Sequence, residues 1–244
     1  MSEPGSLIRA LNGHTAPRNS HARVTHDLGL GIVTGAYPPD QPLPNEAAIM
    51  DRCRVSRTVL REALKTLEAK GLVEARARVG TRVLPRPRWN LTDRQVLGWI
   101  FAGGPDDAFL RHLFAVRRTL ELQAAILAVR HRTDGQIGML HHWMQQRTFC
   151  ANQPEPCALA EFELHRTMFE ASLNPFLLAL TGVTEFAIAA AFARRMRAGA
   201  ADFAETTAPL FREMVAGMEA GSESRVCTPL SAIMAADARF AGIG

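Results

Sequence analysis

The sequence contains few cysteines and no long apolar segment. Its four cysteines, Cys53, Cys150, Cys157 and Cys227, stand singly, without the CxxC or Cys/His spacing of structural zinc sites. This pattern predicts reduced thiols in a cytosolic protein. No run of about 18 or more apolar residues occurs, and no charged start precedes an apolar stretch at the N-terminus. We therefore expect a soluble, cytoplasmic chain without a membrane partner.

The sequence also lacks the short motifs that mark several common classes of enzyme. It contains no G-x-S-x-G, no phosphate-binding loop of the G-x-x-x-x-G-K-[ST] type and no G-x-G-x-x-G. We therefore expect the protein not to be an enzyme.

Positive charge is concentrated in the first part of the chain. The formal net charge of the 244 residues is +4, with 28 Lys+Arg and 24 Asp+Glu. Residues 1–90 carry a net charge of +6, whereas residues 91–244 carry −2. This distribution is typical of a basic nucleic-acid-binding domain followed by a neutral or slightly acidic one, and the length allows two modest domains.

Residues 43–83 begin with the pattern of two helices joined by a tight turn. The second helix is predicted to begin at Ser56, whose hydroxyl can accept a hydrogen bond from a backbone N–H of the first turn. Arg57, Arg61 and Lys65 lie four residues apart and form one stripe of this helix. Its apolar residues recur at three- and four-residue steps and form a second, buried stripe: Val59, Leu60, Ala63, Leu64 and Leu67.

Such a helix suits reading of the DNA major groove. A guanidinium can grip guanine with two hydrogen bonds, and Thr58 with the helix N-terminus can hold a phosphate. A short basic hairpin is predicted next, because Leu72-Val73 and Arg82-Val83 bracket Gly80-Thr81. We expect its arginines to reach the DNA backbone or the minor groove: Arg76, Arg78 and Arg82.

The strings LPNEAAI, VSRTVLREALKTLEAKGLV and VGTRV carry a specific resemblance. In this order and spacing they resemble the winged helix-turn-helix of the GntR family of bacterial transcription regulators. On the charges alone, a solvated helix face is an equally good interpretation. The resemblance implies operator DNA as a partner and these DNA-binding residues: Glu46, Arg54, Ser56, Arg57, Thr58, Arg61, Lys65, Arg76, Arg78, Gly80 and Thr81.

Arg54 departs from the family pattern, which has a small residue or glycine at this place. We expect Arg54 either to adopt a left-handed backbone at some energetic cost or to contact a further phosphate.

Composition and breaker residues predict the domain organisation. Residues 1–20 read as a disordered tail, residues 21–84 as the winged helix-turn-helix domain and residues 85–90, PRPRWN, as a stiff linker. Residues 91–244 are predicted to form an all-helical domain. Its predicted helices span residues 92–102, 106–131, 134–149, 155–172, 175–198, 206–220 and 223–241. The fold class is therefore mainly α, with a small β wing followed by an antiparallel helical bundle.

The helical part carries a second resemblance. The strings RWNLTDRQVLGWIFAGG, LFAVRRTLELQAAILAV and AEFELHRTMFEASLNPFLLAL are similar to the ligand-binding FCD domain of the FadR subfamily. The first string is most similar to members that sense sugar acids such as galactonate or gluconate. The resemblance implies a small carboxylate or sugar-acid effector and a homodimer.

Metal-binding members of this domain carry Asp-x-x-x-His and two further histidines. Glu161 and His165 match the first pair, whereas the later positions fall on Phe211 and around Ile233. One imidazole and one carboxylate are too few ligands for Zn²⁺ or Ni²⁺. We therefore expect a degenerate site at Glu161 and His165, with no bound divalent metal and no cofactor.

The family pattern also places an arginine four residues before a glutamate on the first long helix of the domain, which matches Arg117 and Glu121. Arg117 is expected to hold an effector carboxylate, the alternative being a structural pair with Glu121. His165 has an alternative as a core histidine bonded to Glu161, and Asn174 as the N-cap of a helix that begins at Pro175. The predicted effector-binding residues are Arg117, Glu161, His165, Asn174 and Phe211.

Three functions follow from these patterns. The first is a ligand-responsive DNA-binding regulator, expected to be a repressor of a catabolic operon. The second is a helix-turn-helix fused to an enzyme, as in aminotransferase-like relatives that need a lysine for pyridoxal phosphate. The only lysines, Lys65 and Lys70, lie in the DNA-binding part, which argues against it. The third is a constitutive DNA-binding dimer whose helical domain has lost effector sensing.

Overall fold

A computed structural model describes residues 19–76, 80–150, 153–199 and 203–243, together with Gly5 and Ile8. The chain divides into two compact units. We call His14–Pro105 the N-terminal unit, and Met1–Gly13 with Asp106–Gly244 the helical unit. Most of the predicted tail, residues 1–20, lies outside the described residues, although Ile8 within it is fully buried.

The N-terminal unit contains four described helices and one antiparallel strand pair. Its first helix ends at Val33, because Thr34 caps it and Gly35 turns the chain with a φ of +81°. In chain order the elements are α1 Ser20–Val33, α2 Glu46–Cys53, α3 Arg57–Ala69, β1 Val73–Arg76, β2 Gly80–Val83, a 3-10 turn Arg86–Arg88 and α4 Arg94–Gly103.

Helices α1 and α3 share an apolar core. The side chains that form it are each no more than 1% exposed: Val24, Leu28, Ile32, Leu60, Ala63 and Leu67. Complete burial of a large aliphatic side chain stabilises a fold by about 1.5–3 kcal/mol. The core therefore fixes the axis of α3, and Val73, paired with Val83 across the predicted wing, extends it.

The segment from Pro85 to α4 packs within the N-terminal unit. The Trp89 indole N–H donates to the carbonyl of Leu84 (2.9 Å), and the Asn90 amide donates to the carbonyl of Lys70 (2.9 Å). Lys70 Nζ binds Asp93 Oδ2 at 2.6 Å. The predicted linker, residues 85–90, is thus fastened to the end of α3. The two units divide at Pro105, later than the sequence predicted.

Helix α4 continues this packing. Trp99, which is 3% exposed, donates its indole N–H to His26 Nδ1 of α1 at 3.1 Å. A Cβ built on Gly29 would lie 2.6 Å from the Trp99 ring. The absence of a side chain at Gly29 therefore leaves the space on α1 that the indole occupies. The predicted helix 92–102 therefore exists, but as part of the N-terminal unit and not of the helical one.

Gly71 lies in close contact with the segment that follows the wing, and its replacement is expected to destabilise the N-terminal unit. The residue has a φ of +72°, and an added Cβ would lie 2.2 Å from the Arg88 carbonyl oxygen. We expect Gly71→Ala to detach residues 88–93 from α3 and to lower the unfolding midpoint of the N-terminal unit by several degrees, measured by circular dichroism.

Gly80→Ala is the matched control for that experiment. Gly80 has a φ of +94°, but no atom of the described residues lies within 4 Å of its built Cβ, so this variant carries backbone strain without the clash. Equal losses of stability in the two variants would show that the contact with Arg88 contributes nothing.

The helical unit is all-α over its described residues, as the sequence predicted. Its helices are α5 Asp107–His131, α6 Asp134–Phe149, α7 Pro154–Ala171, α8 Pro175–Ala179, α9 Thr181–Ala198, α10 Phe203–Glu219 and α11 Glu223–Phe240. The predicted helix 175–198 is two helices that meet at Leu180. No helix among the described residues is long and apolar enough to cross a membrane.

The core of this unit lies between α5, α6, α7, α10 and α11. Its largest apolar members include Met168, Phe211, Met214 and Leu230, each no more than 1% exposed. Helix α9 is buried on every side over residues 181–192, which makes it an interior helix. Several polar side chains of α7 and α9 consequently face the inside of the unit, among them Glu161, His165 and Arg195.

Candidate functional site

The turn between α2 and α3 holds the exposed face of α3 in place. The Asn45 side chain accepts a hydrogen bond from the Ala48 amide (2.8 Å) and begins α2. Ser56 accepts one from the Val59 amide (3.4 Å) and begins α3, as predicted. Arg54 has φ 52° and ψ 55°, which confirms the predicted left-handed backbone at a cost of roughly 1–2 kcal/mol.

The polar side of α3 is solvent-exposed. All five of its predicted DNA-binding side chains have this environment: Ser56, Arg57, Thr58, Arg61 and Lys65. Arg57 lies 3.6 Å from Glu46 and Lys65 lies 2.9 Å from Glu62, both as exposed pairs. Exposed pairs contribute about 0–1 kcal/mol and are easily exchanged for another anion. Arg61 forms no ion pair within the described part of the chain, so this face presents available cations.

The predicted DNA-binding residues of the wing differ in their environments. Gly80 begins β2 with a positive φ, and the Thr81 carbonyl accepts a hydrogen bond from the Leu43 amide at 2.8 Å. Arg76 is exposed and binds Glu74 at 2.5 Å, while Arg78 lies outside the described residues. Thr81 thus anchors the wing through its backbone.

Arg82 pairs with the connector that precedes α2, and its expected contact with DNA stays a prediction. Its Nη2 binds Asp40 Oδ1 at 2.9 Å and its Nε donates to the Asp40 carbonyl at 3.0 Å. The reason is that the connector before α2 runs beside β2, with Pro42 bridged to Arg82. Arg82 therefore fastens the connector to the wing.

A second group of polar residues is buried in the helical unit. Arg117 of α5 is fully buried, and its Nε donates to Glu121 Oε1 at 2.6 Å. Its Nη1 donates to Asp237 Oδ2 of α11 at 2.7 Å. Arg195 of α9 donates from Nη1 to Asp237 Oδ1 at 2.6 Å. We call these four residues the Arg117–Asp237 cluster. The alternative of a structural pair between Arg117 and Glu121 is thus present, with Asp237 as a second anion.

The charges in this cluster fix one another. Burial alone would lower the pKa of Arg117, but the neighbouring charges of Glu121 and Asp237 outweigh it and raise that pKa above its ordinary value. Burial would raise the pKa of Glu121, yet the charges of Arg117 and His165 lower it to about 2. Both Arg117 and Glu121 are therefore charged at neutral pH.

Glu161 and His165 turn to different partners. His165 Nδ1 lies 2.9 Å from Glu121 Oε2, whereas Glu161 Oε2 accepts a hydrogen bond from Arg147 Nε at 3.3 Å. The alternative of a core histidine bonded to Glu161 therefore holds for the burial of His165 but is wrong about its partner. Arg147 intervenes because it reaches in from α6 and takes the Glu161 carboxylate.

Phe211 packs beside His165 and Arg147, at a position where metal-binding members of the family have a histidine. Its ring stands edge-on to the His165 imidazole, with centroids 6.2 Å apart, and Arg147 lies over it at 4.1 Å. A guanidinium bound to Glu161 repels a dication at the same carboxylate. Within the described residues no group of three His, Cys, Asp or Glu could hold a metal ion. The residues present do not fit the tetrad of metal-binding relatives.

Several buried polar atoms have no hydrogen-bond partner among the described residues. They include Arg117 Nη2, Glu161 Oε1, His165 Nε2, Thr184 Oγ1 and Arg195 Nη2. A buried polar group without a partner costs about 1–3 kcal/mol, so a molecule that satisfied these atoms would be bound favourably. The arrangement offers both donors and acceptors, as a hydroxylated acid requires.

Asn174 has a mechanical role. Its side chain accepts hydrogen bonds from the Phe176 amide (3.0 Å) and the Leu177 amide (3.3 Å), which caps α8 at Pro175. An effector contact of Asn174 stays a prediction.

Three residues of the buried region were missed from the sequence: Arg147, Arg195 and Asp237. Arg117 and Asp237 are 120 positions apart in the chain, and nothing in their spacing signals the contact. Arg195 follows Arg194 in a helix end that reads as a solvated basic patch, and the interior position of α9 alone reveals it.

Comparison with known proteins agrees with both parts of this geometry. The model of bacterial regulatory proteins of the gntR family matches residues 21–83, and the FCD domain model matches residues 112–236. The regulator YieP of Escherichia coli K12 is 34% identical over 164 residues, covering 66% of this chain and 71% of YieP. The galactonate operon transcriptional repressor of the same strain is 29% identical over 163 residues, covering 67% and 71%.

Solved structures agree on the fold. Lar, which controls the expression of the Listeria monocytogenes agr system, has a TM-score of 0.66 at 16% identity, over 92% of this chain and 97% of that one. McbR/YncC of E. coli has a TM-score of 0.54 at 17% identity, over 91% and 97%.

Fold and exposed basic helix together define a winged helix-turn-helix regulator with a helical effector-type domain. The chain belongs to the GntR family of bacterial transcription regulators, with an FCD domain of the FadR-like type. The family and the matched relatives are regulators and not enzymes, in agreement with the sequence.

Proposed function

We propose that this regulator is a repressor of a catabolic operon that binds a pseudo-palindromic operator as a homodimer. We propose further that a small carboxylate or sugar acid, bound in the helical unit, releases it from DNA. The observation that carries the DNA-binding part is the row of exposed cations on α3, Arg57, Arg61 and Lys65, beside the left-handed turn at Arg54.

The direction of that row supports base reading. Arg57 and Arg61 lie in the first two turns of α3, at the end where the helix N-terminus also favours phosphate. Bidentate bonds from arginine to guanine are the commonest specific contact in the major groove. We therefore assign base contacts to Arg57 and Arg61. We assign phosphate contacts to most of the remaining predicted residues: Arg54, Ser56, Thr58, Lys65, Arg76, Arg78, Gly80 and Thr81. Glu46 acts indirectly, through its contact with Arg57.

The unpartnered atoms of the buried region support an effector in the helical unit. Arg117, His165 and Glu161 each keep one polar atom without a partner among the described residues, and Phe211 forms an apolar wall beside His165. A carboxylate at Arg117 with hydroxyl groups near His165 and Glu161 would satisfy both donors and the acceptor. The names of two relatives, a galactonate operon repressor and an Uxu operon regulator, support the sugar-acid class.

A constitutive DNA-binding dimer is the second candidate. It is favoured by the ion pairs inside the helical unit, since Arg117 already has two carboxylate partners without any ligand. In that function the cluster only stabilises the fold.

A selection experiment followed by an effector screen distinguishes the two functions. Operator sequences would be selected from random double-stranded DNA, and the complex then titrated with galactonate, gluconate and other small acids in gel shifts. We expect a two-fold repeated sequence to be enriched and at least one acid to weaken the complex ten-fold or more. Absence of any enriched sequence would contradict the operator proposal, and indifference to every acid would favour the constitutive dimer.

A further inference from the structure

Two arginines from different helices hold one buried carboxylate. Arg117 of α5 and Arg195 of α9 each give a single nitrogen, Nη1, to Asp237 of α11. The three side chains are between 0% and 3% exposed. Nη2 of both arginines is buried without a partner among the described residues. Asp237 therefore satisfies only part of what the two guanidinium groups offer.

We propose that Arg117 and Arg195 form the carboxylate-binding site for the effector, and that Asp237 fills this site while no effector is bound. The inference deepens the proposed effector response and rests on it. Arg195 and Asp237 are its new members, and the ligand class is a small molecule with at least one carboxylate.

Both guanidinium groups are held by contacts other than Asp237. Arg117 is fixed through Nε by Glu121, at 2.6 Å. Cζ of Arg195 lies 3.8 Å from the centre of the Phe192 ring and 3.4 Å from the centre of the Phe203 ring. The two aromatic rings therefore orient the plane of the guanidinium group. These contacts persist when Asp237 leaves, so the two cations remain preorganised for another carboxylate.

Arg147 provides an internal contrast. It is 2% exposed, and all three of its nitrogens have partners: Glu161 at 3.3 Å, the Ala204 carbonyl at 3.1 Å and Thr207 at 2.5 Å. Every nitrogen of Arg147 therefore already has a partner, whereas Nη2 of Arg117 and Nη2 of Arg195 have none among the described residues. The unpartnered nitrogens thus single out Arg117 and Arg195 among these three buried arginines.

Charge balance favours exchange over addition. The Arg117–Asp237 cluster contains two arginines and two carboxylates, Glu121 and Asp237, so the charges of these four residues cancel. Replacing Asp237 by an effector carboxylate keeps this balance, whereas adding one leaves an uncompensated buried charge. A free carboxylate is also not tied to α11 and can engage Nη2 of both arginines. The exchange would release the end of α11 from α5 and α9.

Chemical rescue tests the site directly. Asp237→Ala removes the internal carboxylate, and thermal unfolding of the full chain would be followed by circular dichroism in sodium acetate or in sodium chloride at equal ionic strength. We expect the variant to unfold at a lower temperature than the parent, and acetate to raise its midpoint by about 2–4 °C more than chloride does. The parent should gain less, because Asp237 competes.

Two further variants complete the design. In the double variant Asp237→Ala, Arg195→Gln the advantage of acetate should disappear. Glu161→Ala removes an equally buried carboxylate whose partner Arg147 keeps two other bonds, and acetate should not favour it. A similar gain in all three variants, or an Asp237→Ala protein that acetate does not stabilise, even one that stays unfolded in it, would overturn the proposal. Because DNA is absent from the measurement, such a failure would leave the operator-binding proposal untouched.

Discussion

Replacing Arg57 or Arg61 by alanine is expected to remove the preference for the operator over unrelated DNA while leaving the fold intact. Each lost bidentate base contact costs about 1–3 kcal/mol of specific binding. Both side chains are exposed on α3, and Arg57 has only a loose contact of 3.6 Å with Glu46 to lose. Gel shifts with operator and scrambled DNA, together with unfolding curves, measure both expectations.

The control for this pair is Arg130→Ala, which removes the same charge from an exposed position of the helical unit, where Arg130 pairs with Glu223 at 2.9 Å. It should leave the ratio of operator to scrambled affinity unchanged. If Arg57→Ala and Arg61→Ala bind both DNAs as the parent does, α3 does not read bases. A uniform loss on both DNAs would reassign the two arginines to phosphate.

Arg117→Ala is expected to destabilise the helical unit by about 3–5 kcal/mol, because removal of one partner leaves buried carboxylates uncompensated. The sequence alone assigned Arg117 to an effector carboxylate, a role whose loss would leave the stability of the fold unchanged. The structure changes this expectation, since Arg117 is fully buried between Glu121 and Asp237. Denaturant unfolding at pH 7 would measure the loss.

The same variant should show a characteristic pH dependence. In the parent the pKa of Glu121 is lowered from an ordinary 4.5 to about 2, so Glu121 contributes stability above pH 4.5 that is lost as the pH falls toward 2. Without Arg117 that contribution is smaller at neutral pH, so the difference between parent and variant should narrow below pH 4.5. Arg118→Ala, at the exposed next position of α5, should cost under about 1 kcal/mol at any pH. A loss of that small size for Arg117→Ala would show that the ion pairs are dispensable.

Local signals in the sequence predicted most of the secondary structure. Ser56 and Asn174 begin helices because each side chain satisfies free backbone amides, which is a property of neighbours in the chain. Arg54 was identified by its departure from a small residue at the turn, and it has the predicted left-handed backbone. The break at Leu180 was not predicted, because Gly182, two residues further on, lies inside the next helix and does not end one.

The buried polar region was only partly predictable because its partners come from distant segments. Glu161 and His165 share a helical face, and their spacing suggested a mutual bond. Glu161 instead pairs with Arg147 of α6, and His165 pairs with Glu121 of α5, so residues of other helices determine both partners. Similarly, the resemblance indicated Arg117, but only the packing of α9 and α11 brings Arg195 and Asp237 to it.

The position of α4 determines which piece of this regulator could be transplanted. A chimera joined within the proline-rich residues 85–90 would lose the bonds from the end of α3 to Asn90 and Asp93. It would also lose Trp99, whose indole packs against Gly29 of α1. A cut after Gly104 keeps all of these contacts within one fragment. The exchangeable module of this protein is thus the winged domain with one additional helix, and a fusion partner should be joined to it at Pro105.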